Sequence, residues 1–435
     1  MTVREAALKT LNSIFDNAQY SNLAVDQTLR GAGNWTAEDR SFYTRLVYGV
    51  IEKKITLDYY IDALTGKKAD RIEPYVRNIL RMGLYQILSM QSVPDHAAVN
   101  ESVKLGKKSS AGFINAVLRA FLRKRDFLPL PAREENVLRY LSVRYSAGEP
   151  LCRKLMVLYG EEKAEKILQA CNAAPDLSIR VNVLKTDREA LLDRLNRENI
   201  RARAGNLPTQ ICVAELPVGH LAPLEEGLFF VQDEASQWCV RVMDAQPGDK
   251  VLDMCSAPGS KSFGMAMDMQ NSGSILAMDL YENKMPLITA SAERLGIGII
   301  EAKVQDGRVF DPALAETADR VLCDVPCSGF GVMAKKPELR YKAPEESEEL
   351  TIIQEQILEN ASRYVKKGGV LVYSTCTIFP EENEERILSF LKTHPEFELA
   401  PFSVRGKETP GYLTLLPDET GTDGFFISRM KKKKE

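Results

Sequence analysis

The sequence predicts a multidomain protein with an all-α bundle first, a small α+β module in the middle and a doubly wound α/β domain last. Three features carry this expectation. Apolar residues recur at helical spacing through the first third, short mixed segments follow, and strand and helix patterns alternate from Asp233 onward. The expected domains are residues 1–126, a linker at 127–146, a module at 147–231 and the α/β domain at 232–435.

The bundle is read from Ala7, Leu8, Leu11, Ile14 and Phe15, then Leu46, Val47, Val50 and Ile51, then Val76, Ile79, Leu80, Leu84, Ile87 and Leu88. Six to eight helices are expected, the last opened by Gly112. Pro129, Pro131 and a charged run mark the linker. In the module, two helices precede a strand at Leu177–Val181, and a helix follows at Asp187–Glu198. In the last domain, strands are expected at Lys250–Met254, Ser274–Asp279, Ile299–Lys303, Asp319–Asp324 and Gly369–Ser374, with crossover helices between them. Late strands near Phe397 and at Gly424–Ser428 would complete the sheet, leaving Lys431–Lys434 as a basic tail outside the fold.

Charge is unevenly spread. Residues 1–125 hold 19 Lys and Arg against 12 Asp and Glu, while the whole chain carries −3. A basic N-terminal third points either to a polyanionic partner or to ordinary surface solvation. No apolar stretch is long enough to span a membrane, and no secretory leader is read. Eight cysteines without paired spacing point to cytoplasmic thiols, not a disulfide framework. His96, His220 and His394 form no zinc pattern with them, so no metal is expected.

Chemistry concentrates on one edge of the last domain. The run Cys255-Ser256-Ala257-Pro258-Gly259-Ser260-Lys261 follows an apolar strand ending in Asp253 and opens a helix. Small residues there let the backbone approach a ligand, at the place where doubly wound sheets bind nucleotide-like molecules. The dinucleotide and P-loop glycine patterns are both missing. Asp279, Asp306 and Asp324 each follow a later strand. Singly, each reads as a cap or turn residue, but three on one carboxyl edge are hard to explain that way. Cys327, in Asp-Val-Pro-Cys-Ser-Gly, and Cys376, in Ser-Thr-Cys-Thr, both lie just past strands on the same rim. A single cysteine is more often inert core, whereas two at a ligand edge favour reaction.

These motifs resemble motifs I, IV and VI of the RNA 5-methylcytosine methyltransferases. The stretch Pro94–Val103, with Gly112–Arg119, is similar to the NusB-like domain of the bacterial RsmB (Sun) branch, so the resemblance covers nearly the whole chain. It implies a class I methyltransferase domain using S-adenosylmethionine, acting on a cytosine of 16S ribosomal RNA, free or within an assembling small subunit. A cytoplasmic monomer is expected. By resemblance Cys376 is the attacking thiolate, and Cys327 assists proton loss and release. Asp324 holds the base edge, and Lys261 stabilises charge or positions Asp324. The cofactor would lie on Cys255–Lys261, with Asp279 at the ribose, Asp306 at the adenine and Asp324 near the methionine end. Ser256 and Ser260 depart from the family's usual Ala and Gly, and a positive φ at Ser260 would be strained. The rival readings are a small-molecule methyltransferase and an RNA-binding assembly factor. Neither explains two rim cysteines beside an intact cofactor loop.

Overall fold

The computed structural model describes residues 1–17, 19–173, 177–214, 216 and 221–434, so His220 lies outside the described residues. The chain forms two compact units. One is Met1–Ala173 with Met333–Pro344, and the other is Ala174–Val332 with Glu345–Glu435.

The first unit is helical: α1 (Val3–Asn17), α2 (Ser21–Arg30), α3 (Ala37–Glu52), α4 (Lys54–Thr65), α5 (Pro74–Ser89), α6 (Asp95–Leu105), α7 (Lys108–Lys124), α8 (Val137–Tyr145), α9 (Glu149–Tyr159) and α10 (Glu161–Cys171). Local chemistry sets the helix starts. Thr36 and Asp39 form a capping box on α3, and Pro74 opens α5 where its missing N–H costs nothing. The apolar stripes read from the sequence meet in one core that includes Leu11, Leu46, Ile51, Ile79 and Leu80. Within it, buried Arg81 makes a two-pronged bond to Asp58, 2.7 Å at each prong.

Two expectations change here. The last helix of the bundle starts at Lys108, so Gly112 lies inside α7 and does not open it. The expected linker contains α8, capped by Asn136, because Leu141 and Val143 are buried. The two helices expected at 149–171 form as α9 and α10 and pack within the first compact unit. A distant segment packs with them. Met333–Pro344 folds into this unit, with the Arg340 guanidinium buried against Asn172 Oδ1 and the Cys171 carbonyl. Nearby, the Tyr341 hydroxyl donates to the Ile51 carbonyl, and Glu338 accepts from the Ser21 amide and hydroxyl.

The second unit begins with a four-stranded antiparallel sheet. Its elements are β1 (Leu177–Val181), α11 (Arg188–Arg197), β2 (Ala202–Ala204), β3 (Gln210–Val213), α12 (Ala222–Glu225) and β4 (Phe229–Val231), in strand order β2-β3-β1-β4. Ile179, Leu191, Leu195, Ile211 and Phe229 form its core. There follow α13 (Glu234–Met243), β5 (Lys250–Asp253), α14 (Ser260–Asp268), β6 (Ser274–Asp279), α15 (Met285–Leu295), β7 (Ile300–Val304), β8 (Ala318–Asp324), α16 (Glu348–Tyr364), β9 (Val365–Thr375), α17 (Glu384–Thr393), β10 (Phe397–Leu399), β11 (Phe402–Val404), β12 (Lys407–Thr409), β13 (Tyr412–Leu415), α18 (Pro417–Thr420) and β14 (Phe425–Lys432). Asn182 joins the two parts, its amide donating to the Gly227 and Leu295 carbonyls.

The large sheet runs β10-β14-β9-β8-β5-β6-β7, with β13 also paired to β14. β5 to β9 are parallel, whereas β14 is antiparallel to β9, β10 and β13. Strand order reverses between β5 and β8, which opens a crevice at their carboxyl ends. The expected basic tail is corrected: Lys431 and Lys432 are the end of β14, paired with Glu398 and Phe397. Burial of Phe425, Phe426, Ile427, Ser428 and Met430 on that strand outweighs the charge of its last residues. Among the described residues, no helix is long and apolar enough to cross a membrane.

Candidate active site

The crevice is built first by the turn after β5. Ser256 N–H donates to the Met278 carbonyl at 2.7 Å, and Gly259 N–H donates to the Ser256 carbonyl at 2.7 Å. Gly259 is the left-handed residue, with φ 104°, and a Cβ there would stand 2.4 Å from the Phe263 ring. Ser260 begins α14, so the strain expected for a positive φ at Ser260 does not arise. Beneath the turn, Asp253 is buried and accepts from Ser262 Oγ at 2.6 Å, while its other oxygen has no hydrogen-bond partner among the described residues. Burial pushes the Asp253 carboxyl up to about 6.

The other strand-end acids face the same edge. Asp279 is buried and accepts from the Ala257 and Tyr281 amides, each at 3.2 Å, with Lys284 Nζ at 3.3 Å. Asp306 is gripped by the Arg308 backbone and guanidinium, which hold its carboxyl below the usual range. Asp324 receives Lys261 Nζ on one oxygen at 2.6 Å and Ser374 Oγ on the other at 2.7 Å. Burial pulls the Lys261 pKa down, but the Asp324 charge at this distance outweighs it and the ammonium is held above its ordinary range.

Cys327 and Cys376 come together just past the carboxyl ends of β8 and β9. Their sulfurs lie 3.3 Å apart, and Cys376 N–H points at Cys327 Sγ, also at 3.3 Å. The hydrogen bond with Cys376, burial and neighbouring charge all push the Cys327 thiol well above the ordinary thiol range. Cys239 and Cys323 are fully buried structural thiols, with burial pushing Cys239 up to about 12. Cys255 is likewise raised, chiefly by burial. A thiol so held is a poor nucleophile until it loses its proton.

Several supporting residues went unread in the sequence. Ser374 orients Asp324. Gly331 N–H donates to the Cys376 carbonyl at 2.9 Å, and a Cβ on Gly331 would stand 1.9 Å from the Gly424 carbonyl oxygen. Glu382, Asn383 and Gln354 bond the residues on either side of the two cysteines. The one sequence signal for them is the polar run Glu381-Glu382-Asn383 right after Pro380, which also reads as an ordinary helix start.

Similarity to known proteins runs along nearly the whole chain. Residues 240–431 match the family model described as 16S rRNA methyltransferase RsmB/F. Residues 1–123 match the NusB family, and 150–217 match the ferredoxin-like domain of RsmF/B-like methyltransferases. The chain is 38% identical over 448 residues to a "Probable ribosomal RNA small subunit methyltransferase B" of Bacillus subtilis (strain 168), spanning 99% of each. The chain belongs to the RsmB/F family of 16S rRNA methyltransferases. A Synechocystis relative of the same name is 33% identical over 99% of this chain and 100% of its own. Among solved structures, PH0851 is similar with a TM-score of 0.79 and 28% identity, covering 98% of both chains.

RsmB/F enzymes depend on S-adenosylmethionine, and the residues present fit it. The carboxylates of Asp279 and Asp306 are acceptors suited to hydroxyl and amino groups, and the turn at Gly259 has no room for a side chain. Among the described residues, no group of three or more His, Cys, Asp or Glu is placed to hold a metal ion. On the NusB-like bundle, Lys67, Lys68, Lys107, Lys108, Arg123 and Lys124 are exposed. Arg4 and Lys54, equally basic in the sequence, are instead spent on internal partners, Gln86 and Asp58.

Proposed function

We propose that the protein methylates carbon 5 of a cytosine in 16S ribosomal RNA through a transient bond between Cys376 Sγ and carbon 6. The observation that supports it best is the pair of thiols 3.3 Å apart beside Asp324, on the rim that carries the cofactor turn. Carbon 5 of cytosine is a weak nucleophile, and addition of a thiolate to carbon 6 remedies this by moving electron density to carbon 5. Asp324, steadied by Lys261 and Ser374, holds the amino and ring-nitrogen edge of the base. When bound on Cys255–Lys261, S-adenosylmethionine supplies the methyl group. Release then requires that the carbon 5 proton pass to the Cys327 sulfur, its own proton having left to solvent, that the carbon 5–carbon 6 double bond re-form, and that the carbon–sulfur electron pair return to Cys376. A small-molecule methyltransferase has no use for a second thiol. The target base must leave its stack to reach the rim, and the basic bundle contributes phosphate contacts that orient the RNA.

The test is methyl transfer from labelled S-adenosylmethionine to unmodified 16S ribosomal RNA. Wild type transfers label to cytosine carbon 5, Cys376→Ala does not, and Cys327→Ala traps a protein–RNA adduct that survives denaturation. Transfer unaffected by Cys376→Ala sinks the reading.

A further inference from the structure

Glu382 and Asn383 are adjacent in the chain, yet each braces a different cysteine loop. The Glu382 carboxylate is buried. It accepts from Ser328 N–H at 2.9 Å, from Ser328 Oγ, and from Gln354 Nε2 at 2.9 Å. The same Gln354 amide donates to the Pro326 carbonyl at 3.1 Å. Residues 326 and 328, which flank Cys327, are therefore both tied to the Glu382–Gln354 pair. Asn383 does the same for the other loop. Its Oδ1 accepts from Thr375 Oγ1 at 2.6 Å, and its Nδ2 donates to the Thr377 carbonyl at 3.0 Å, so both neighbours of Cys376 are held. One more bond closes the frame, between Ser328 Oγ and Thr377 Oγ1 at 2.8 Å.

Resting on the two-thiol reading above, we propose that Glu382 and Asn383 are a positioning pair that divides the labour of the cysteines: Asn383 aims Cys376 at carbon 6, and Glu382 holds Cys327 where it can resolve the adduct. The carboxylate has a further use. Its charge raises the proton affinity of the Cys327 sulfur, which suits a group that has to take the carbon 5 proton. Burying a carboxylate with three donors fixes the loop far more tightly than apolar packing does, because leaving those donors unpaired is costly. A misplacement of about 1 Å at a reacting group costs on the order of a hundredfold in rate.

The two residues are separable by step. Full-length Glu382→Gln, Glu382→Ala and Asn383→Ala are compared with wild type and Cys327→Ala, using 16S ribosomal RNA and labelled S-adenosylmethionine. For the Glu382 variants, the expected result is adduct accumulation on denaturing gels with turnover down about tenfold or more and KM for RNA within about twofold. Asn383→Ala is expected to slow adduct formation, with no accumulation. Ser328→Ala, which keeps the Glu382 charge and removes one of its bonds, moves in the Glu382 direction by less. A role confined to folding predicts that all steps fall together in proportion to the folded fraction measured by circular dichroism. That outcome, or Glu382 variants that release product like wild type, overturns the proposal. If Cys327→Ala itself traps nothing, it is the two-thiol reading that fails.

Discussion

Lys261 and Asp324, sixty-three residues apart, form an ion pair of 2.6 Å in which the lysine side chain is only 11% exposed. The pair lies at the crevice between β5 and β8, so it joins the cofactor turn to the loop that carries Cys327. Lys261→Met leaves Asp324 with Ser374 alone and removes its charge partner. Activity is expected to fall by about a hundredfold, with a lower melting temperature, since breaking a largely buried pair typically costs several kcal/mol. Lys261→Arg keeps the charge but not the volume and should recover only part of the rate. A double-mutant cycle with Asp324→Asn measures the coupling, expected at about 1–3 kcal/mol. Additivity of the two substitutions would show that the pair does not act together.

Asp253 gives a pH dependence with a definite sign. Its folded-state pKa is raised to about 6 by burial, above the ordinary 3.8. Between those values the folded chain holds a proton that the unfolded chain has lost, so stability from this group declines as pH rises through about 6. Asp253→Asn removes the titration. Relative to wild type, the variant should gain about 1 kcal/mol between pH 5 and pH 8. Thermal melts of both proteins across that range check it, and a constant difference in stability would contradict it.

The cofactor turn offers a paired test. Gly259→Ala places a Cβ against the Phe263 ring at a φ of 104° and should weaken S-adenosylmethionine binding about tenfold or more in calorimetry. Ser260→Gly acts on the first turn of α14. It should lower stability by up to about 1 kcal/mol without tightening the cofactor. Tighter binding by the glycine variant would mean that Ser260, and not Gly259, limits the turn.

Much of this site was legible in the chain. Asp253, Asp279 and Asp324 each end a strand where an apolar run stops at an acid, and Gly259 and Lys261 sit at fixed steps after the first of these. Cys327 and Cys376 stand out because each follows such a strand. Glu382, Asn383 and Gln354 do not stand out, since their partners lie between 6 and 54 residues away and include backbone groups that every residue possesses. Helix α8 was missed for a related reason: Pro129, Pro131 and surrounding charges outweighed a short apolar stripe whose burial depends on α4 and α9.

What the sequence determined by itself was periodicity and local chemistry: the helical first third, the parallel strands, the turn that opens at Cys255 and the two thiols on one rim. What only the tertiary structure decided was pairing across distance. It set the 3.3 Å between the sulfurs, the bond from Lys261 to Asp324, the antiparallel β14 and the folding of Met333–Pro344 into the helical unit. Local patterns are imposed by backbone sterics and the burial of neighbouring side chains, so they are written in short windows. Distances between remote residues follow from how whole layers pack, which no short window contains.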